Sequence, residues 1–178
     1  NTELMIKEAG KVSQLSFTLI EGRTGQSQSY FTRGNISSLM PGDFELSVVD
    51  HHDLLVVDGH YPEAQLEAMK RAREQGVATL VQGQGGRSGG VGCVELADVV
   101  VAPERDASAL TGVGSLEGIC RAFLERGAKS AIITLGDEGA VAMGEDGRLI
   151  RVDAVEVKVV DRIGAGDVFL GAVGLGVF

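Results

Sequence analysis

Cysteine and basic residues are scarce in this 178-residue sequence, and long apolar runs are absent. Its two cysteines, Cys93 and Cys120, are too few for a disulfide framework and have no metal-ligand spacing, which agrees with a reducing compartment. No stretch approaches the roughly 18 apolar residues that a membrane helix requires. The start, Asn-Thr-Glu-Leu-Met-Ile-Lys, lacks the charged-then-apolar layout of a signal peptide. The expectation is a cytoplasmic protein with no membrane partner. Lys and Arg total 16 against 25 Asp and Glu, a formal net charge of −9. Such a surface repels phosphate backbones and anionic headgroups, and no local basic patch offsets it, so nucleic acid is not an expected partner either.

What is present is a folding composition: 44% hydrophobic and 23% charged residues, with enough apolar mass for a real core. The length suggests one domain. The chain begins at Asn1 rather than Met, and from Leu170 onward it reads as a helix without a capping signal, so a piece of a longer chain is expected. There is no internal repeat, and the only low-complexity tract is a segment at 83–92 with six glycines, which predicts a loop.

Hydrophobic periodicity orders the rest. Residues 15–20 and 28–33 partly alternate around a turn-rich Glu-Gly-Arg-Thr-Gly and predict a β-hairpin. Asp53–Asp58 encloses a continuous apolar run of strand length, of the kind buried on both faces of a parallel sheet. Pro62 then opens a helix with Leu66, Met69 and Ala72 at helical spacing, and Gly76 closes it. Val77–Val81 and Ala97–Val101 are further short strands. Ser115 caps a helix with an apolar stripe of Leu116, Ile119, Cys120, Phe123 and Leu124, ended by Gly127. Ser130–Thr134 is a fourth buried strand, and Ala140–Met143 with Leu149–Val152 flank a Gly-Glu-Asp-Gly hairpin turn. Alternating strands and helices with short connections argue for a three-layer α/β architecture around a mostly parallel sheet, with its ligand beyond the carboxyl ends of the strands.

Two glycine elements carry the chemistry. In Asp161-Arg-Ile-Gly-Ala-Gly-Asp167 a strand is expected to run into Gly164, Ala165 and Gly166, small residues that let main-chain N–H groups converge where a helix begins. Asp167 then lies in the first helical turn, where a carboxylate is stabilised as the anion and can accept a hydroxyl proton. A helix cap following a tight turn explains the same spacing equally well. The second element, Ile133-Thr-Leu-Gly-Asp-Glu-Gly-Ala140, follows a buried strand; its glycines allow close approach of a ligand and Thr134 offers a hydroxyl, although a strand-to-strand turn accounts for so short a pattern. A Walker-type loop is absent. The 83–92 tract fails the dinucleotide fingerprint because Ser88 stands at the third glycine position, which disfavours a Rossmann dehydrogenase.

These segments resemble the ribokinase-like (PfkB family) carbohydrate kinases. Asp161–Asp167 is similar to that family's Asp-Thr-x-Gly-Ala-Gly-Asp signature, and Ile133–Ala140 to its nucleotide-binding strand and turn. Pro103-Glu-Arg-Asp-Ala-Ser-Ala-Leu-Thr-Gly112 resembles the family's Asn-x-x-Glu segment, with Pro103 in place of the asparagine and Asp106 in place of the glutamate. The resemblance covers residues 15–178. It implies a three-layer ribokinase-like sheet forming one partial domain over 1–178, with a lid hairpin at about 13–36. It also implies phosphoryl transfer from ATP to a sugar hydroxyl, with Asp167 as base and the Gly164, Ala165 and Gly166 amides as anion hole. Thr134, Gly136 and Gly139 would lie along the nucleotide, with Arg33 reaching the phosphates from the lid or remaining solvated. Asp106 would hold Mg2+ through water, Asp161 and Ile163 would begin a monovalent-cation (K+) site, and the lid would pair two copies into a homodimer.

The sequence also departs from the family. Arg162 replaces a threonine, Gln82–Gly86 occupies a stretch where relatives often carry an aspartate, and neither the first glycine-rich segment nor the final helix pair has a counterpart. A nucleotide-binding remnant without turnover, completed by another chain, is therefore the alternative expectation, with unpaired sheet edges and exposed apolar surface. His51, His52 and His60 read as solvated and without a carboxylate partner. Cys120, Met69 and the phenylalanines read as core, and Cys93 as more exposed but without a basic neighbour that would activate it.

Overall fold

The computed structural model describes residues 5–23, 27–83, 90–159 and 161–177. Its centre is a six-stranded sheet of β3 (Leu54–Val57), β4 (Ala78–Gln82), β5 (Val99–Pro103), β6 (Ser130–Thr134), β7 (Ala140–Gly144) and β8 (Leu149–Val152), in that spatial order. The first four strands are parallel, and β6–β7–β8 form an antiparallel meander. Because successive side chains point to opposite faces, the valine-rich runs serve two layers. Val81, Val100, Ala102, Ala131 and Ile133 face one core, while Leu80, Val99, Val101 and Ile132 face another.

The first core is covered by α1 (Pro62–Gln75), α2 (Gly90–Val94), α3 (Glu104–Thr111) and α4 (Leu116–Glu125). The expected stops and starts hold. Pro62 opens α1, and Gly76 closes it in the left-handed conformation (φ 72°) that a side chain resists. Ser115 caps α4 by accepting a hydrogen bond from the Gly118 N–H at 3.3 Å, and the α4 stripe buries Ile119, Cys120 and Phe123. The second core is covered by α5 (Ala165–Val177), through Phe169, Leu170 and Val173.

The direction of α5 decides where the site lies. A Cβ on Gly174 would press on Leu54, which opens β3, and on Leu80, whereas Leu170, one turn earlier, packs with Leu80, Val99 and Val101. The helix thus runs antiparallel to the strands, and its amino terminus lies at their carboxyl ends.

Four expectations need correction. The glycine-rich tract, insofar as it is described, is a loop only at Gly83; residues 90–94 form α2 because burial of Cys93 and Val94 outweighs the glycines' poor helix propensity. Residues 84–89 lie outside the described segments. The approach to Gly164 is not a strand: Val155, Val157 and Val159 alternate as a strand would, yet no neighbouring strand pairs with them among the described residues, and all three are exposed. Cys93 is fully buried rather than accessible. Phe17 and Phe31 are not core, being 62% and 65% exposed.

Those two phenylalanines belong to a separate antiparallel pair, β1 (Leu15–Ile20) and β2 (Ser27–Thr32), in the predicted position; part of its turn lies outside the described residues. Its root is pinned where the Val12 N–H donates to Asn35 Oδ1 at 2.6 Å and the Asn35 N–H donates to the Val12 carbonyl at 2.9 Å. Leu15, Phe17, Leu19 and Tyr30 share one face of the pair, and all are more than half exposed.

Candidate functional site

Three predicted site residues, Thr134, Asp106 and Asp167, lie at one end of the sheet because parallel strands deliver their carboxyl termini together. Thr134 ends β6 and pairs in register with Pro103 at the end of β5, from which α3 places Asp106 in its first turn. Asp167 lies in the first turn of α5, exposed at the same end.

Around Gly164 the chain forms a tight turn in which the Ala165 N–H donates to the Arg162 carbonyl at 3.2 Å and Gly164 takes φ 78°. That positive φ at the third turn position is the glycine requirement of a type II turn. The Gly164 carbonyl accepts from the Val168 N–H at 2.9 Å, and Asp161 Oδ1 accepts from the Ile163 N–H at 2.9 Å. One of the three amides assigned to an anion hole, that of Ala165, is therefore occupied within the turn. Around Gly164 and Gly166 a Cβ would meet nothing within 4 Å, so an anion can approach this backbone closely.

The second glycine element divides in two. Gly136 (φ 66°) also borders open space, but a Cβ on Gly139 (φ 93°) would collide with the Val152 carbonyl, where the segment after β8 crosses over it. Gly136 leaves room for a ligand; Gly139 is required by the packing of its own chain. Thr134 is half-buried, and neither its hydroxyl nor the Asp106 carboxylate has a partner among the described residues.

The remaining predicted residues are less enclosed. Arg33 is exposed at the end of the hairpin, with no hydrogen bond or ion pair among the described residues. Asp161 is exposed and turned onto its own backbone, and Ile163 is 64% exposed. Among the described residues no three His, Cys, Asp or Glu side chains cluster to hold a metal. None of the helices described is long and apolar enough to cross a membrane.

A model of the pfkB family carbohydrate kinases matches residues 1–176. The chain belongs to that family. It is 29% identical over 158 residues to the bifunctional ribokinase/ribose-5-phosphate isomerase A of Fructilactobacillus sanfranciscensis, covering 84% of this chain and 29% of that protein. Against the ribokinase of Staphylococcus aureus it is 26% identical over 185 residues, covering 97% and 59%. A 73-residue stretch is 41% identical to the ATP-dependent 6-phosphofructokinase of Thermoanaerobacterium thermosaccharolyticum, covering 40% and 22%. The crystal structure of ribokinase from Thermotoga maritima superposes with a TM-score of 0.81 at 24% identity, covering 94% of this chain and 57% of that one. An Escherichia coli structure described as a ribokinase II, in complex with ATP and Mg2+, superposes at 0.73 with 21% identity, covering 83% and 53%. The chain spans less than two thirds of the length of each of these relatives.

Within this pfkB-family sheet, one polar group escaped notice in the sequence. Asp58, just past β3, lies at the same carboxyl end and accepts from the His60 N–H at 2.9 Å and from Gln65 Nε2 at 2.8 Å. His60, expected to be solvated and without a carboxylate, has Nδ1 3.4 Å from Asp58 Oδ2. The available signal was an aspartate closing an apolar strand next to a glycine, since Gly59 (φ 74°) folds the chain back on itself there. Burial works against a thiolate at either cysteine: it pushes the Cys120 thiol up to about 11, and burial followed by the nearby Asp58 charge raises that of Cys93.

Proposed function

We propose that this chain is the larger part of an ATP-dependent sugar kinase, one partial ribokinase-like domain in which Asp167 takes the proton from an acceptor hydroxyl. The observation that carries this reading is the open glycine backbone at Gly164 and Gly166, beside an exposed carboxylate on the first turn of a helix aimed at the carboxyl ends of a parallel sheet. The residues present fit a nucleotide with its magnesium. Open space at Gly136 lines the β5–β6 side with the Thr134 hydroxyl and the Asp106 carboxylate, neither of which has a partner among the described residues, and Asp106 would hold magnesium through water. MgATP supplies a phosphoryl group whose charge spreads over its equatorial oxygens during transfer.

Asp167 accepts the hydroxyl proton as the acceptor oxygen bonds to the γ-phosphorus and the bridging oxygen leaves with ADP. The Gly164 and Gly166 amides and the positive end of the α5 dipole stabilise the charge in transit. The Ala165 amide joins them on release of its turn hydrogen bond. Arg33 would reach the phosphates from the hairpin, and Asp161 with the Ile163 carbonyl would be the residues to hold a K+ ion, which would add positive charge near the transferred phosphoryl group. The exposed apolar face of Leu15, Phe17, Leu19 and Tyr30 pairs with the same face of a second copy, because an isolated two-stranded hairpin is marginal in water. Sedimentation as a monomer at micromolar concentration would reject that pairing.

Assay of phosphoryl transfer from ATP to a panel of sugars, with wild type and Asp167→Asn side by side, tests the main reading. Undiminished transfer by Asp167→Asn removes Asp167 from the mechanism. The second reading, a nucleotide-binding unit without turnover completed by another chain, is favoured by exposed Val155, Val157 and Val159 and by β3 having no strand beyond it among the described residues. Calorimetric binding of ATP without transfer to any sugar supports that reading, and turnover by this chain alone refutes it.

A further inference from the structure

The turn that opens the glycine cradle is short of main-chain donors. Its Ala165 N–H is taken by the Arg162 carbonyl and its Ile163 N–H by Asp161 Oδ1, which leaves the Gly164 and Gly166 amides for an anion. The residue that occupies the Ala165 amide also carries a guanidinium. Arg162 is the first residue of the turn and Ala165 the fourth, so their Cα atoms lie within about 7 Å of each other. The Arg162 side chain is exposed and makes no hydrogen bond or ion pair among the described residues. Neither carboxylate that flanks the turn has drawn it in: Asp161 is turned onto its own backbone, and Asp167 stands exposed on α5.

Charge around the cradle is one-sided. The two glycine elements, 133–140 and 161–167, hold Asp137, Glu138, Asp161 and Asp167 against a single basic residue, Arg162. Arg151 answers Glu138 at 3.0 Å, whereas Asp137, Asp161 and Asp167 have no cation beside them among the described residues. A triphosphate brought near these carboxylates meets repulsion that two amides and the end of a helix dipole offset only in part. A guanidinium adds a full charge and a fork of donors that matches phosphate oxygens. The family signature has threonine where this chain has Arg162, so the cation is particular to this chain.

We propose that Arg162 binds the terminal phosphate of ATP, its guanidinium supplying the donor that the Ala165 amide withholds while the turn is intact. The contact is made before transfer begins, so its effect falls on nucleotide binding and not on proton abstraction by Asp167. ADP lacks the phosphate in question and gains little from the guanidinium. This inference rests on the kinase reading, from which it takes ATP as the ligand of the cradle.

Calorimetric titration of the intact chain with MgATP and with MgADP, for wild type, Arg162→Thr and Arg162→Lys, tests it without requiring turnover. Arg162→Thr is expected to weaken ATP binding roughly tenfold and ADP binding less than about twofold, in keeping with loss of a charge-assisted hydrogen bond to the terminal phosphate. Arg162→Lys, which keeps the charge and loses the fork, should recover part of the difference. Added sodium chloride should narrow the gap between wild type and Arg162→Thr, because exposed charges are screened. Thermal melts should coincide, since the side chain has no partner in the fold. Equal ATP affinities in wild type and Arg162→Thr, or equal losses for ATP and ADP, overturn the proposal and leave the kinase reading standing. A wild type that binds no ATP overturns both. Failure of the kinase reading alone shows as Arg162-dependent ATP binding with no transfer to any sugar.

Discussion

The two ends of the parallel sheet treat polar side chains in opposite ways. At the amino end, Thr79 is 1% exposed and satisfied: its single hydroxyl proton is shared between the Leu96 carbonyl and Asp98 Oδ2, each 3.0 Å from Oγ1, and Oγ1 accepts from the Asp98 N–H at 2.9 Å. Asp98 in turn receives the Thr79 N–H at 2.8 Å and the Lys129 ammonium at 2.8 Å. At the carboxyl end, Asp106 and Thr134 have no such partners among the described residues, and Asp167 stands exposed. A fold gains nothing for its own stability by presenting carboxylates without partners around bare glycine backbone, so on the proposed reading the difference separates groups that hold strands in register from groups that meet a ligand.

Substitutions at the two ends should therefore fail in different assays. Asp167→Asn at the carboxyl end is expected to lower phosphoryl transfer by roughly 10³-fold, within the range for a lost general base, while the urea midpoint stays at the wild-type value. A large loss of stability in that variant would break the comparison, because it would make Asp167 a structural cap. Thr79→Val at the amino end is expected to do the reverse. It should cost about 1–3 kcal/mol by leaving the Leu96 carbonyl and Asp98 short of buried partners, read from urea denaturation, with ATP affinity unchanged.

A finer version of the same contrast lies inside the Thr134–Ala140 turn. Gly139→Ala should destabilise by at least about 2 kcal/mol, because φ 93° with ψ −130° suits only glycine and the new methyl would meet the Val152 carbonyl. Gly136→Ala should cost only about 1 kcal/mol, since its conformation is left-handed but its surroundings are empty, and weaker ATP binding should be its main effect. Thermal melts and nucleotide titration of the two variants sort them; equal melts would show that the close approach at Gly139 gives readily.

Much of this frame was legible in the residues. Pro62, Gly76 and Ser115 act locally, through a preset φ, a tolerated positive φ and a side-chain acceptor, so α1 and α4 could be placed without knowing their neighbours. The valine runs of β4 and β5 are apolar on both faces because α5 covers one and α1–α4 the other. What depended on partners was hidden. Strand-like alternation at Val155–Val159 has no described strand to pair with, and α2 exists because of burial rather than propensity. In the candidate site, small residues at 164–166 announced a bend, but the donation of the Ala165 N–H to Arg162 follows from the type of turn. Asp58 reads in sequence as a strand boundary; only the return of α1 with Gln65 gives its carboxylate an orientation.

The smallest expected effect is one of pH at the structural end. Burial raises the Asp98 carboxyl, but the Lys129 ammonium and the two Thr79 hydrogen bonds outweigh it and hold the group below its ordinary value of 3.8. A depressed native pKa means that the unfolded chain binds the proton more readily, so the contribution of Asp98 is complete above about pH 4 and fades as the pH falls through the lowered value. Lys129, raised by the same pairing, keeps its share until the pH climbs through its own elevated value. Asp98→Asn should therefore lose a modest amount of stability at pH 7 and show a shallower decline than wild type as the pH falls below about 4 in thermal melts. ATP affinity at neutral pH should be the same in both, because Asp98 and the glycine cradle lie at opposite ends of the strands. A parallel acid decline in the two proteins would mean that the ion pair is screened to insignificance, and that Thr79 alone joins β4 to β5 at that end.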